Sequence, residues 1–167
     1  MPLIKNGQIT ADPYVNLGDD DPLPDGAPVI VSLARWHGER QALLGRGVGV
    51  GVRLASNQQA AEIADDLGDL ALVALEFPIF RDGRHYTTAR LLRERHGFRG
   101  EVRAVGNVLR DQYLFMQRCG FDAFEVKDDG ALAAWREAIH EFSVFYQPTG
   151  DGRLTAPLAR RLSRAAQ

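Results

Sequence analysis

The chain has 167 residues, 45% of them hydrophobic and 25% charged, which fits one globular domain and leaves little room for a second independent core. A single cysteine, Cys119, excludes an internal disulfide framework and an all-cysteine metal site. The net charge of -2 excludes a generally basic nucleic-acid coat, yet the 20 basic residues are 18 Arg and only 2 Lys.

The opening residues lack the basic start, apolar stretch and small-residue cleavage site of a secretory signal, and no run approaches the ~20 apolar residues of a membrane span. A cytoplasmic protein with no membrane or nucleic-acid partner is expected. Residues 1–28 set Lys5 against Asp12, Asp19, Asp20, Asp21 and Asp25, and Pro13, Pro22, Pro24 and Pro28 interrupt any long helix or central strand. They read as an acidic N-terminal arm that lies on the body or stays mobile, with a short strand at Leu3 to Ile9.

A single α/β domain is predicted over 29–146. VIVSL reads as a short strand and ARWHGERQALLG as a helix or irregular connection. GVGVRL, ALVALEF, EVRAVG and FDAFEV continue as short strands. Between them apolar residues recur at helical spacing. Ala60, Ile63, Ala64 and Leu67 form one stripe. Val108, Leu109, Phe115, Met116 and Cys119 form another, starting after Asn107, a favoured N-cap type. Ala131, Ala134, Trp135, Ala138 and Phe142 form the last. Strands alternating with helices are parallel, joined by right-handed crossovers. The pattern fits either an open flavodoxin-like sheet or a half-barrel of βα units, and the regular unit of roughly 23 residues favours the curled form. A half-barrel leaves strand edges to be covered by the arm or by a second copy of the chain, a homodimer. Residues 147–167, with Pro148, Gly150 and Gly152 before an Arg-rich end, read as a C-terminal tail or docking segment.

In parallel α/β folds, ligands meet the loops at the carboxyl ends of the strands. This places Ala55, Ser56 and Asn57, then Pro78 to His85, then Asn107 and Arg110, and finally Lys127, Asp128 and Asp129 on one rim. Between Arg81 and Arg118 nine Arg face four acidic residues. Guanidinium forks suit oxyanions, so the ligand-binding candidates are Glu76, Arg81, Asp82, Arg84, His85, Asn107, Arg110 and Asp111, with a small anion as ligand. Arg90, Arg93, Arg95 and Arg99 read as a solvated helix face paired with Glu94 and Glu101. His85 is the one histidine at the rim, where it could act as acid or base.

Other motifs point away from chemistry. GRGVGVG precedes a strand and alternates within it, unlike a dinucleotide fingerprint, and reads as glycine that eases close packing. His37, His85, His96 and His140 form no local metal-ligand spacing, so no metal is expected. GxSxG, P-loop and CxxC motifs are absent from the sequence. Cys119 ends its helix, where the dipole raises a thiol pKa, so it reads as inert.

FRDGR, ARLLRER, GEVRAVGNVLRDQ and RCGFDAFE, in that order and spacing between Phe77 and Phe124, resemble a bacterial family of unknown-function domains labelled probable oxidoreductases of sulfite reduction. The resemblance implies a place in assimilatory sulfite reduction and a sulfite reductase partner, whose gene is typically adjacent in that family. It brings no agreed catalytic residues, and the sequence carries no flavin, nicotinamide or iron–sulfur signature, so no cofactor is expected. Two functions follow as expectations. One is an accessory of sulfite reductase in electron delivery, assembly or substrate handling. The other is a small α/β enzyme or sensor that binds an oxyanion or phosphorylated ligand at the Arg-rich rim.

Overall fold

The computed structural model describes residues 2–126 and 130–165. The first strands come from the arm: β1 (Leu3–Lys5), β2 (Gln8–Thr10) and β3 (Val15–Asn16). The body then runs β4 (Val29–Ser32), α1 (Leu33–Gly45), β5 (Val50–Leu54), a 3₁₀ helix (Ala60–Asp66) and β6 (Leu72–Phe77). It continues with α2 (Arg84–Arg90), extended by a π turn over Leu91–Arg95, and β7 (Glu101–Gly106). A 3₁₀ turn (Arg110–Gln112), α3 (Tyr113–Cys119), β8 (Ala123–Glu125), α4 (Ala131–Ala138) and α5 (Ala156–Ala165) complete the chain.

The eight strands form one sheet in the order β2-β1-β8-β7-β6-β5-β4-β3. Strands β4 to β8 lie in chain order and pair in parallel. No reversal occurs within that run, so successive right-handed crossovers wrap their helices onto the same face and the sheet curls into a half-barrel. An open flavodoxin-like sheet requires a reversal of strand order, and the described strands β4 to β8 have none.

The arm covers both open edges. The β1–β2 hairpin turns at Asn6 (φ 50°) and Gly7 (φ 77°), the left-handed pair of a tight hairpin turn, and β1 pairs antiparallel with β8. At the other edge β3 adds in parallel to β4. Residues between these strands carry the arm across the sheet, where Asp12 meets Arg103 and Tyr14 packs against Ile30, Leu72, Ala74 and Val105.

Alternation along each strand sorts side chains between the faces. Val31, Val52, Leu75, Ala104 and Phe124 point toward the helices and join the main core with Trp36, Phe77, Leu92 and Met116. At about 1.5–3 kcal/mol per fully buried large apolar side chain, this face dominates stability. Trp36 is fully buried and its indole N–H donates to Asp66 Oδ2 at 2.8 Å, tying α1 to the 3₁₀ helix. The concave face carries a small apolar patch of Ile30, Leu72, Ala74 and Val105 with Tyr14 against it. Gly51 belongs to this face, and a Cβ there would stand 2.7 Å from Leu72 Cδ2. Close packing thus accounts for Gly51 and, against the Tyr14 hydroxyl, Gly49, whereas Gly45 and Gly47 of the same run have open space around them.

Three helices differ from the sequence expectation. The Ala60 stripe forms a 3₁₀ helix in which the Gln59 amide donates to Glu62 Oε1 at 2.7 Å. The helix after β7 starts at Arg110 rather than after Asn107, because Gln112 Oε1 accepts from the Leu109 amide at 3.0 Å while the Asn107 amide closes a turn to Phe77 O at 2.7 Å. Helix α4 stops at Ala138, leaving Phe142 exposed beyond it.

Candidate functional site

Neighbouring loops at the carboxyl ends of the strands are laced together. Arg84, the first residue of α2, donates to Asp82 through Nε (2.9 Å) and Nη2 (2.5 Å) and to Ser56 Oγ at 2.9 Å, joining the loops after β5 and β6. Hydrogen bonds from Arg84 hold the Asp82 carboxyl well below the usual carboxylate range. The Gln112 amide group donates to Phe80 O at 2.7 Å, joining the loops after β6 and β7. Arg110 lies 3.3 Å from Glu141 and 3.6 Å from Glu137.

The rim expected from the sequence therefore exists for these loops, but carboxylates already face two of its guanidinium groups. Arg81 and Asp111 are exposed and make no ion pair among the described residues. Asn107 is half-buried and contributes its backbone to the turn. Lys127, Asp128 and Asp129 lie outside the described residues.

His85 faces inward rather than toward solvent. Its ring nitrogens stand 3.2 Å from Thr88 Oγ1 and 3.2 Å from Leu54 O, and its ring meets Phe77 edge-on at 5.9 Å between centroids. Burial lowers its pKa, so the neutral imidazole pins α2 to the end of β5. The neighbouring Arg84 takes the outward direction, as successive residues of a helix must diverge.

The arginines further along are mostly structural. Arg90 pairs with Glu94 on the surface as expected, at 3.0 Å. Arg93 donates to Gly120 O, Phe98 O and Gly100 O and pairs with Asp122 at 2.8 Å, so it latches the exits of α2 and α3 together. Glu101 faces Lys5 and Arg103 instead of the helix arginines, because it lies in β7 on the concave face. Burial pushes the Cys119 thiol up, which disfavours the reactive thiolate.

Residues that loop-centred reasoning missed lie inside the strands. Strand register aligns Ser32, Arg53, Ala74, Arg103, Ala123 and Lys5 across the concave face. The next level toward the carboxyl ends holds Glu76, Val105 and Glu125. Arg103 is 0% exposed and is the anchor of this layer. Its guanidinium donates to Asp12 at 2.6 and 3.0 Å and to Glu101 at 2.7 Å, with Glu125 at 3.8 Å and the Tyr14 ring 5.6 Å away. A buried guanidinium needs such partners, and here the arm supplies one carboxylate and β7 another.

Above this layer is a polar mouth of about 280 Å³ lined by Asn16, Arg53, Glu76, Val105, Gly106 and Glu125. Arg53 Nη2 donates to Asn16 Oδ1 at 3.1 Å, and Ser32 Oγ donates to Asp19 Oδ1 at 2.6 Å on the same side. Gly106 forms the floor of the turn after β7 at φ 93°, and a Cβ there would stand 2.6 Å from Phe77 O. Strand phase puts Arg53 and Glu125 off the helix-facing core, each one residue out of step with Val52 and Phe124, but only register shows that they share a site.

A second surface lies over α3. An open apolar groove of about 580 Å³ is lined by Tyr86, Phe115, Phe142, Val144, Tyr146 and their neighbours. Val144 is 69% and Tyr146 79% exposed, whereas Phe145 between them is buried under Arg118, whose guanidinium stacks 3.8 Å above its ring. Arg118 also pairs with Asp151 at 2.7 Å and donates to Gln147 O at 3.0 Å. A bridge between Phe145 and Thr155 sets the start of α5 beside this stretch. No residue of α5 is buried, and Leu158 and Leu162 stand exposed four positions apart on a helix that also carries Arg160, Arg161 and Arg164.

Fold and site define an α/β half-barrel with a polar mouth at the carboxyl ends of its strands and an exposed apolar C-terminal face. Residues 51–156 match the model of the family described as bacterial protein of unknown function (DUF934), and the chain belongs to that family. No curated protein matches the chain. The matched span begins in β5 and ends at the first residue of α5, so it includes the laced loops, the mouth residues of the four strands β5 to β8 and the groove. Among the described residues no helix is long and apolar enough to cross a membrane.

Proposed function

We propose that this protein is an accessory of assimilatory sulfite reduction that docks onto sulfite reductase through its C-terminal segment. The sulfite-reduction context comes from the motif resemblance between Phe77 and Phe124. The observation that carries the docking role is the exposure of Phe142, Val144 and Tyr146 at the groove, followed by α5, a helix with no buried residue that carries the exposed Leu158 and Leu162. Exposed apolar side chains gathered in this way mark interaction surfaces, and aromatic residues are favoured anchors there.

The segment also specifies the chemistry of its partner. From Gln147 to Gln167 four Arg face one acidic residue, Asp151. An apolar partner surface rimmed by Asp and Glu complements it, with charge steering the encounter and apolar burial holding the complex. The loops support this reading over an oxyanion at the rim, since Arg84 and Arg110 already face carboxylates.

The test is a sulfite-reduction assay with purified sulfite reductase, with and without this protein, repeated with Tyr146→Ala and Val144→Asp. The wild-type chain is expected to raise turnover or reductase assembly, and both variants to lose the effect while remaining folded. No association and no change in rate with the wild-type chain would overturn the proposal.

A further inference from the structure

The polar mouth has a charge balance that an oxyanion does not match. On the concave face Lys5, Arg53 and Arg103 stand against Asp12, Glu76, Glu101 and Glu125, one more negative than positive. Below the mouth these charges pair off: Arg103 is taken by Asp12 and Glu101, and Lys5 by Glu101 at 2.7 Å. In the mouth they do not. Glu76 has no ion pair or hydrogen bond among the described residues, and half-buried Arg53 has the neutral Asn16 amide as its partner. Among the described residues, Glu125 has as its ion-pair partner the long 3.8 Å approach to Arg103.

Half-buried charges without direct partners lose hydration with little in return, and a ligand that supplies the missing partners recovers that cost. The position is where parallel α/β half-barrels can bring side chains from successive strands together: Arg53 on β5, Glu76 on β6, Gly106 on β7 and Glu125 on β8. These groups stand on strands rather than on loops, which fixes their spacing before any ligand arrives. The volume, about 280 Å³, falls just below the usual range of ligand pockets and suits a small metabolite rather than a nucleotide.

We infer that the half-barrel mouth is a binding site for a small zwitterion of the free amino-acid type. Arg53, with Asn16, receives the ligand carboxylate, and Glu76 with Glu125 receives its ammonium group. The guanidinium fork matches a carboxylate bidentately, and each carboxylate accepts one N–H of the ammonium. The excess negative charge of the face selects against a simple dianion such as sulfate. This assignment is independent of the docking role, because it uses the opposite face of the sheet from the groove over α3.

The experiment is isothermal titration calorimetry of the full chain with L-alanine, L-serine and L-glutamate as probes. N-acetyl-L-alanine, which lacks the ammonium group, and sodium sulfate serve as comparators. At least one amino acid is expected to bind in a 1:1 ratio, and neither comparator should compete with it. Glu76→Gln and Arg53→Met should each weaken binding by roughly tenfold or more, the loss expected from one charge-assisted contact. Thermal unfolding of each variant confirms that the sheet is intact, and Asn16→Ala offers a milder second lesion should Arg53→Met fail to fold. Absence of binding by all three amino acids up to about 10 mM would overturn the assignment. So would binding indifferent to Glu76→Gln, or sulfate binding that displaces the amino acid.

Discussion

Asp12→Ala removes the carboxylate through which the arm grips the sheet. In the native chain Asp12 accepts two hydrogen bonds from Arg103 at 2.6 and 3.0 Å, and its Oδ1 also accepts from the Tyr14 amide at 3.0 Å. The variant leaves a guanidinium that is 0% exposed with Glu101 at 2.7 Å as its one close partner. Breaking one side of a buried pair costs about 3–5 kcal/mol, and the surviving Glu101 contact puts this case near the lower end, about 3 kcal/mol. For a chain of this size that corresponds to a fall in Tm of about 6–12 °C. Asp12→Asn, which keeps one acceptor, should lose about half as much, and Asp20→Ala on the exposed part of the arm about nothing. Guanidinium chloride unfolding at pH 7 measures all three. A loss below about 1 kcal/mol for Asp12→Ala would refute the claim that this buried network fastens the arm.

Gly106→Ala should destabilise the fold by about 1–3 kcal/mol, because φ 93° and a Cβ 2.6 Å from Phe77 O leave no relaxed conformation; an unchanged Tm would contradict this. Burial lowers the native pKa of His85 below its unfolded value near 6.5. As pH falls through about 6.5 the unfolded chain takes up a proton that the native site refuses, so stability falls by up to about 1.4 kcal/mol per pH unit. Urea midpoints at pH 7.5, 6.5 and 5.5 should show this component in the wild-type chain and not in His85→Gln, and equal slopes would count against it. Leu158→Asp combined with Leu162→Asp should change stability by less than about 0.5 kcal/mol, since α5 buries no residue; a large fall in Tm would mean that the helix packs on the body.

The helix-facing core was the legible part of the sequence. EVRAVG became β7 over Glu101–Gly106 without a shift, and the sequential βα pattern led to the half-barrel. Apolar alternation reports one face of a sheet well, because every helix-facing position must be apolar whatever the ligand. The concave face was not legible in the same way. Asp12 and Arg103 are 91 residues apart, and no local periodicity brings them together. Arg53 and Glu125 interrupt apolar strands, which reads as ordinary polar alternation until register places them beside Glu76. Asn6-Gly7 did carry a local signal, the dipeptide of tight hairpins, so the hairpin was recoverable where only a single strand had been expected. Of the candidates named from the sequence, Glu76 alone lines the mouth, and it stands in β6 rather than in a loop. Arg84 and Arg110 follow from charge counting, but their partners Asp82, Glu137 and Glu141 could be identified only once the loops were placed.

Sedimentation velocity of this protein with purified sulfite reductase distinguishes the proposed docking from independent behaviour. A faster-sedimenting complex is expected, one that weakens at high salt, as arginine steering requires, and that is absent with Leu158→Asp/Leu162→Asp. Two separate boundaries with the wild-type chain, or a complex that persists unchanged with the double variant, would contradict it.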